Sequence, residues 1–119
     1  MKLILVVEDN IENMELIVCL LKLKDYGIKI ATDGAEAVEL SKRYNFDLII
    51  LDIYLPIMNG FEVLKRLKHT INSNTPVVAV TASILEGNKE LLLAAGCSEC
   101  LEKPFNTDVF YKTISFYCN

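Results

Sequence analysis

Asp52 interrupts an otherwise apolar run, LIILDIYLPIMNG (48–60). A carboxylate there is costly if it is buried without partners, so it either caps a turn or does chemistry. Three other places carry side chains that could join it: Glu8-Asp9, Thr81 and Lys103. Together they supply three carboxylates, one hydroxyl and one amine. Hard oxygen ligands without His or Cys favour Mg²⁺ over zinc. Carboxylates crowded together repel unless a cation or proton offsets them, and Lys103 with a divalent ion would do so. The same set suits phosphoryl transfer, which is mostly positioning and charge stabilisation, and a carboxylate can itself be the nucleophile and form an acyl phosphate. Taken singly, each residue has an ordinary structural use: an acidic turn caps the next helix, a threonine closes a turn, a lysine is solvated. The chemical reading depends on all of them meeting.

What would bring them together is a repeated β-α pattern. Continuous apolar runs suit strands covered on both faces. They occur at LILVV (3–7), IKIA (28–31), FDLIIL (46–51) and PVVAV (76–80), with ECL (99–101) placed by its position in the order. Between them lie helical spacings: Ile11, Met14, Ile17, Val18 and Leu21; Ala35, Val38 and Leu40; Phe61, Leu64, Leu67 and Ile71; Ile84, Leu85, Leu91, Leu92 and Ala95; Val109, Phe110 and Ile114. Asn10, Asp33, Asn59, Ser83 and Asn106 or Thr107 are expected near helix N-caps, and Gly27 and Gly96 as helix stops. Five β-α units predict a parallel sheet with helices on both faces. Such sheets bind ligands beyond the carboxyl ends of their strands. Glu8-Asp9, Asp52, Thr81 and Lys103 fall at the ends of strands one, three, four and five.

The 119 residues suit one domain spanning 1–119. A net charge of -4 argues against a nucleic-acid-binding surface, which would be basic. No stretch approaches the roughly 20 apolar residues of a membrane span. The N-terminal MKLILVV stops at Glu8, short of a signal peptide's apolar core, so a cytoplasmic location is expected. Cys19, Cys97, Cys100 and Cys118 do not form a disulfide framework of the kind small secreted chains need.

The motifs VVEDN (6–10), LIILDIYLPIMNG (48–60), VVAVTA (77–82) and CLEKPF (100–105), with ATDGAEAVEL (31–40), resemble the receiver domain of two-component response regulators in order and spacing over essentially the whole chain. The resemblance implies a flavodoxin-like, doubly wound (βα)5 sheet of strand order 2-1-3-4-5. It implies Asp52 as acceptor of a phosphoryl group from a phosphohistidine of a sensor histidine kinase or phosphotransfer protein. It implies that Asp9 and Asp52 hold Mg²⁺ directly, with Glu8 largely through water and the Tyr54 backbone carbonyl completing the protein ligands. Lys103 would contact a phosphoryl oxygen, Thr81 would bond another and sense it, and Lys103-Pro104 would carry a cis peptide. Phosphorylation brings about -1.5 to -2 of charge into the crevice, which would bias a two-state domain. The output surface would be helix 4, strand 5 and helix 5, presented to a downstream protein effector. The domain would be a switch more than an enzyme, acting through protein contacts or as part of a larger chain. Tyr54 and Ser83 would flank the attacking water and tune the phosphate's lifetime.

One departure stands out. Where many receivers have a switch aromatic three residues before the lysine, this chain has Cys100. Cys97-x-x-Cys100 has redox or zinc spacing, but with no second pair or nearby His it reads as buried small side chains. His69, the only histidine, falls near the end of the third helix, away from the crevice. Two alternatives remain. A Mg²⁺-dependent phosphohydrolase would want a second acid/base carboxylate two residues after Asp52, where Tyr54 stands. A flavodoxin-like cofactor binder would want a phosphate-cradling loop in place of EDNIEN (8–13).

Overall fold

The computed structural model describes the chain apart from Pro56, residues 83–87, Pro104, Phe105 and Asn119, and apart from the Asn88 side chain. Strands and helices alternate: β1 Leu3–Val7, α1 Ile11–Lys22, β2 Gly27–Ala31, α2 Gly34–Arg43, β3 Leu48–Asp52, α3 Gly60–Leu67, β4 Val77–Thr81, α4 Asn88–Ala95, β5 Glu99–Glu102 and α5 Thr107–Cys118. The strands form one parallel sheet in the order β2-β1-β3-β4-β5. The chain steps outward from β1 to β2 and then reverses past β1 to β3, so the two halves diverge between β1 and β3.

The apolar runs are continuous because both faces are covered. Leu5, Val7, Ile49, Leu51, Val77 and Ala79 pack on one side against Ala37 of α2, Val63, Leu64 and Leu67 of α3 and Leu92 of α4. The intervening Ile4, Val6, Leu48, Ile50, Val78 and Val80 pack on the other against Met14, Ile17 and Leu21 of α1 and Phe110 and Ile114 of α5. Alternate residues of a strand point to opposite faces, so each run feeds two cores. β2 is an edge strand, and Ile30 is half exposed there.

Local chemistry sets the helix starts. The side chains of Asn10, Asp33 and Asn59 accept from the backbone N–H three residues on, and Asn106 accepts from Asp108 and Val109. Each satisfies an N–H that lacks an intrahelical partner. Gly96 ends α4 at φ 117°, with Cys97 N–H returning to the Leu92 carbonyl, an αL stop of the glycine type. Gly27 is not a helix stop. α1 ends at Lys22 with Leu23 as its C-cap, the left-handed turn residue is Asp25 (φ 61°), and Gly27 opens β2. The helical faces also differ from the spacing: Ala35, Ile11, Ile71 and Leu91 are exposed, Leu92 is buried as the spacing suggested, and Ala37 and Val63, which the spacing did not single out, are buried too. Ser83, Ile84, Leu85, Pro56 and the Lys103-Pro104 peptide lie outside the described residues.

Candidate functional site

The carboxyl ends of β1, β3, β4 and β5 are held level by backbone hydrogen bonds. Ile53 N–H donates to the Val80 carbonyl (3.2 Å), and Lys103 N–H to the Thr81 carbonyl (2.7 Å). This framework sets Glu8, Asp9, Asp52, Thr81 and Lys103 around one crevice, at the divergence of β1 and β3 where a doubly wound sheet opens.

Asp52 is the last residue of β3 and only 6% exposed. Its Oδ1 accepts the backbone N–H of Tyr54 at 3.0 Å, and its Oδ2 faces Lys103 Nζ at 3.4 Å. Glu8 is 1% exposed; its Oε1 accepts from Lys103 Nζ at 2.7 Å and its Oε2 from Asn10 N–H at 3.3 Å. Asp9 is exposed, and Thr81 is buried at the end of β4. Burial pushes the Glu8 carboxyl up, and Asp52 pushes it further, against the opposing pull of Lys103. Burial alone would lower the Lys103 ammonium, but the hydrogen bond to Glu8 and the charges of Asp52 and Glu8 outweigh it and leave it raised. Lys103 is thus held charged, and Glu8 is the carboxyl of this set least suited to bear its charge unaided.

One carboxylate oxygen from each of Glu8, Asp9 and Asp52 lies within 4.8 Å of the other two. An octahedral ion with ~2.1 Å bonds spaces its oxygens at about 3.0 or 4.2 Å, so a small inward movement would let the three surround one cation. The donors are all hard oxygens, and the residues present fit a divalent metal.

The loop after Asp52 is held tightly. Gly60 N–H returns to the Ile53 carbonyl at 2.8 Å, and a Cβ on Gly60 would stand 2.7 Å from Ile53 Cα. Ile57 takes φ 68° with its side chain 94% exposed, an unusual conformation for a β-branched residue. Sequence reasoning placed all five site residues together but did not foresee that the Tyr54 N–H would orient Asp52, or that Lys103 would sit on Glu8. Both depend on backbone geometry that leaves no mark in residue type. His69 is exposed on the turn after α3, apart from the crevice.

A parallel sheet with an acidic crevice and a lysine at its switch point defines a class of α/β domain, and the comparisons narrow it. A model of the response regulator receiver domain matches residues 4–115. The polar-differentiation response regulator DivK of Brucella ovis is 37% identical, over 98% of this chain and 95% of its own. Among solved structures, the receiver domain of a Pseudomonas aeruginosa sensor histidine kinase, with a magnesium ion coordinated in its active-site cleft, superposes with a TM-score of 0.91 at 30% identity, over 98% and 97% of the two chains. The Vibrio cholerae chemotaxis protein CheY4 does so with the same TM-score and identity, over 98% of each. The chain belongs to the response regulator receiver domain family. It is a phosphoacceptor signalling domain of two-component systems, and its fold is the flavodoxin-like one.

Proposed function

We propose that Asp52 is the phosphoacceptor of this domain. The observation that carries this is the meeting of Glu8, Asp9 and Asp52 within 4.8 Å, with Lys103 beside two of them. An Asp52 oxygen attacks phosphorus, the O–P bond of an acyl phosphate forms, and the P–N bond to the donor histidine breaks. The Tyr54 N–H and Lys103 orient the two Asp52 oxygens for this step. Rigid placement of the reacting group supplies much of such a rate. Glu8, Asp9, Asp52 and the Tyr54 carbonyl would hold Mg²⁺, which supplies charge stabilisation for the transferring phosphoryl group. Lys103 then exchanges its carboxylates for a phosphoryl oxygen, and Thr81, at the neighbouring strand end, bonds another and carries the change into the segment after β4.

The donor is a histidine kinase or phosphotransfer protein. The reader is a protein effector on the face of α4, β5 and α5, where Leu91, Val109 and Phe116 are exposed. No helix among the described residues is long and apolar enough to cross a membrane, and the acidic balance disfavours nucleic acid; residues 1–119 act as one cytoplasmic receiver unit.

Incubation with Mg²⁺ and acetyl phosphate, read by intact mass, tests this. One phosphoryl adduct per chain, absent in Asp52→Asn and in the presence of a chelator, is the expected result. Turnover without an adduct, or an adduct that survives Asp52→Asn, would overturn it.

A further inference from the structure

The function leaves one pair of reactive groups unused. Cys97 and Cys100 are 5% and 6% exposed, and their sulfurs lie 3.8 Å apart. Residues three apart in a regular strand face opposite sides of a sheet, so this contact needs a special chain path. It comes from the turn after α4. Gly96 takes φ 117°, Cys97 N–H bonds the Leu92 carbonyl and Ser98 N–H bonds the Val77 carbonyl at 2.7 Å. Cys97 is thereby folded onto the face that Cys100 presents from β5, opposite Ala79. A disulfide holds its sulfurs ~2.05 Å apart. The gap to be closed is therefore under about 2 Å, and Cys97 stands in a turn, not within a strand ladder.

We propose that Cys97 and Cys100 form a reversible dithiol–disulfide site, oxidised by hydrogen peroxide. Cys100 attacks first: its thiolate displaces hydroxide from the peroxide and becomes a sulfenic acid. The Cys97 sulfur then attacks that sulfur, the S–S bond forms and water leaves. Two thiols lose two protons and two electrons, and hydrogen peroxide takes them up to become two waters. The order follows from the surroundings. Burial raises both thiols; at Cys100 the Cys97 S–H and the Lys89 charge work against that rise and the Glu99 carboxylate adds to it, whereas Cys100 further raises Cys97, which is pushed up to about 12. Scarcity of thiolate makes the reaction slow at neutral pH and faster as pH rises. The site is independent of whether Asp52 is the phosphoacceptor.

The test uses the full chain carrying Cys19→Ser, which removes the exposed thiol that could link two molecules. After hydrogen peroxide, an acid quench and alkylation under denaturing conditions, the peptide containing Cys97 and Cys100 is expected to have lost two hydrogens and to resist alkylation. Dithiothreitol should restore both thiols. Cys97→Ala and Cys100→Ala should each abolish the loss, and the peptide map of the protein with both cysteines decides the matter if either variant fails to fold. The proposal is overturned if both thiols still alkylate after exhaustive peroxide. It is equally overturned if Cys100 gains oxygens without a disulfide, or if the mass loss persists in Cys97→Ala.

Discussion

Lys103 Nζ sits 2.7 Å from Glu8 Oε1, closer than to Asp52 Oδ2 at 3.4 Å. The ammonium therefore already holds a cation's place against the carboxylates of β1 and β3. On the proposed function, a divalent metal in the same crevice would share Glu8 and Asp52 with it, and a phosphoryl group on Asp52 would give it a better anion.

Removing that ammonium should separate two effects. In Lys103→Met the acidic set loses its internal counter-charge, so Mg²⁺ should bind more tightly, while phosphoryl incorporation from acetyl phosphate should fall on the order of 10²-fold, as when one preorganised charge is removed from a site. Titration calorimetry and a mass-based time course measure the two. Metal affinity unchanged or weakened in the variant would show that Lys103 does not compete for the same carboxylates. Without metal, the variant should also lose about 1–3 kcal/mol of stability, because a nearly buried Glu8 is left with a weaker partner.

The loop after Asp52 offers two substitutions of opposite sign. Gly60→Ala places a Cβ 2.7 Å from Ile53 Cα, a backbone atom that cannot swing aside, and should cost about 1–3 kcal/mol, as overpacking does. It should also slow phosphorylation, because the shift reaches the residue next to Asp52. Ile57→Gly relieves a left-handed β-branched residue whose side chain is solvated. The relief of ~1–2 kcal/mol offsets the ~0.5–1 kcal/mol entropic cost of glycine, leaving a net gain of up to about 1.5 kcal/mol. Urea unfolding midpoints decide both. A gain in Gly60→Ala, or a loss in Ile57→Gly, would contradict the backbone geometry of this loop.

How much of this was written in the sequence depends on the physical origin of each feature. The parallel sheet and the meeting of its strand ends follow from continuous apolar runs with polar residues at their ends, which are properties of residue type, whereas the order β2-β1-β3-β4-β5 is legible only through the resemblance to receiver domains. Asn10, Asp33 and Asn59 are legible as caps because their side chains do the bonding. Gly27 misled because a glycine after a helix has two uses, and here the turn needed Asp25 in the left-handed region while Gly27 packs against Met1. Ala35 misled because α2 turns Ala37 and Val38 inward, and Gly34 lies so close to Val63 of α3 and to Met58 that a Cβ there would clash. The buried bracket of Asn72, which donates to the carbonyls of Ser41 and Tyr44 and accepts from Phe46 N–H, had no local signal, since these three partners lie 26 or more residues away.

If Thr81 senses the phosphoryl group as proposed, replacing it should separate acceptance of that group from its transmission. Thr81 is buried at the end of β4 and its carbonyl holds the Lys103 N–H, so the backbone at this point is fixed whatever the side chain. Thr81→Ala should keep the crevice and accept phosphate within about 10-fold of the parent rate, since the variant keeps the carboxylates and the lysine. The amide chemical-shift changes on phosphorylation should shrink in the segment after β4 and in β5. Full-size shifts in Thr81→Ala would remove the hydroxyl from the switch.

Cys118 gives a pH dependence whose sign is fixed. It is the last residue of α5 and 3% exposed, and burial, with help from Asp47, pushes its thiol from 9.0 up to about 11. The folded state therefore keeps the proton that the unfolded chain releases. This contribution to stability is fully present below pH 9 and is lost as pH rises toward 11, at up to about 1.4 kcal/mol per pH unit across that window. Cys118→Ala removes the titration and leaves a small cavity costing about 1 kcal/mol. At pH 7 the parent should be the more stable. Its advantage should shrink above pH 9 and vanish or reverse near pH 11, measured as the difference between the two unfolding free energies so that lysines and tyrosines titrating in the same range cancel. A difference independent of pH from 7 to 11 would mean that the Cys118 thiol ionises as readily in the folded protein as in the unfolded chain.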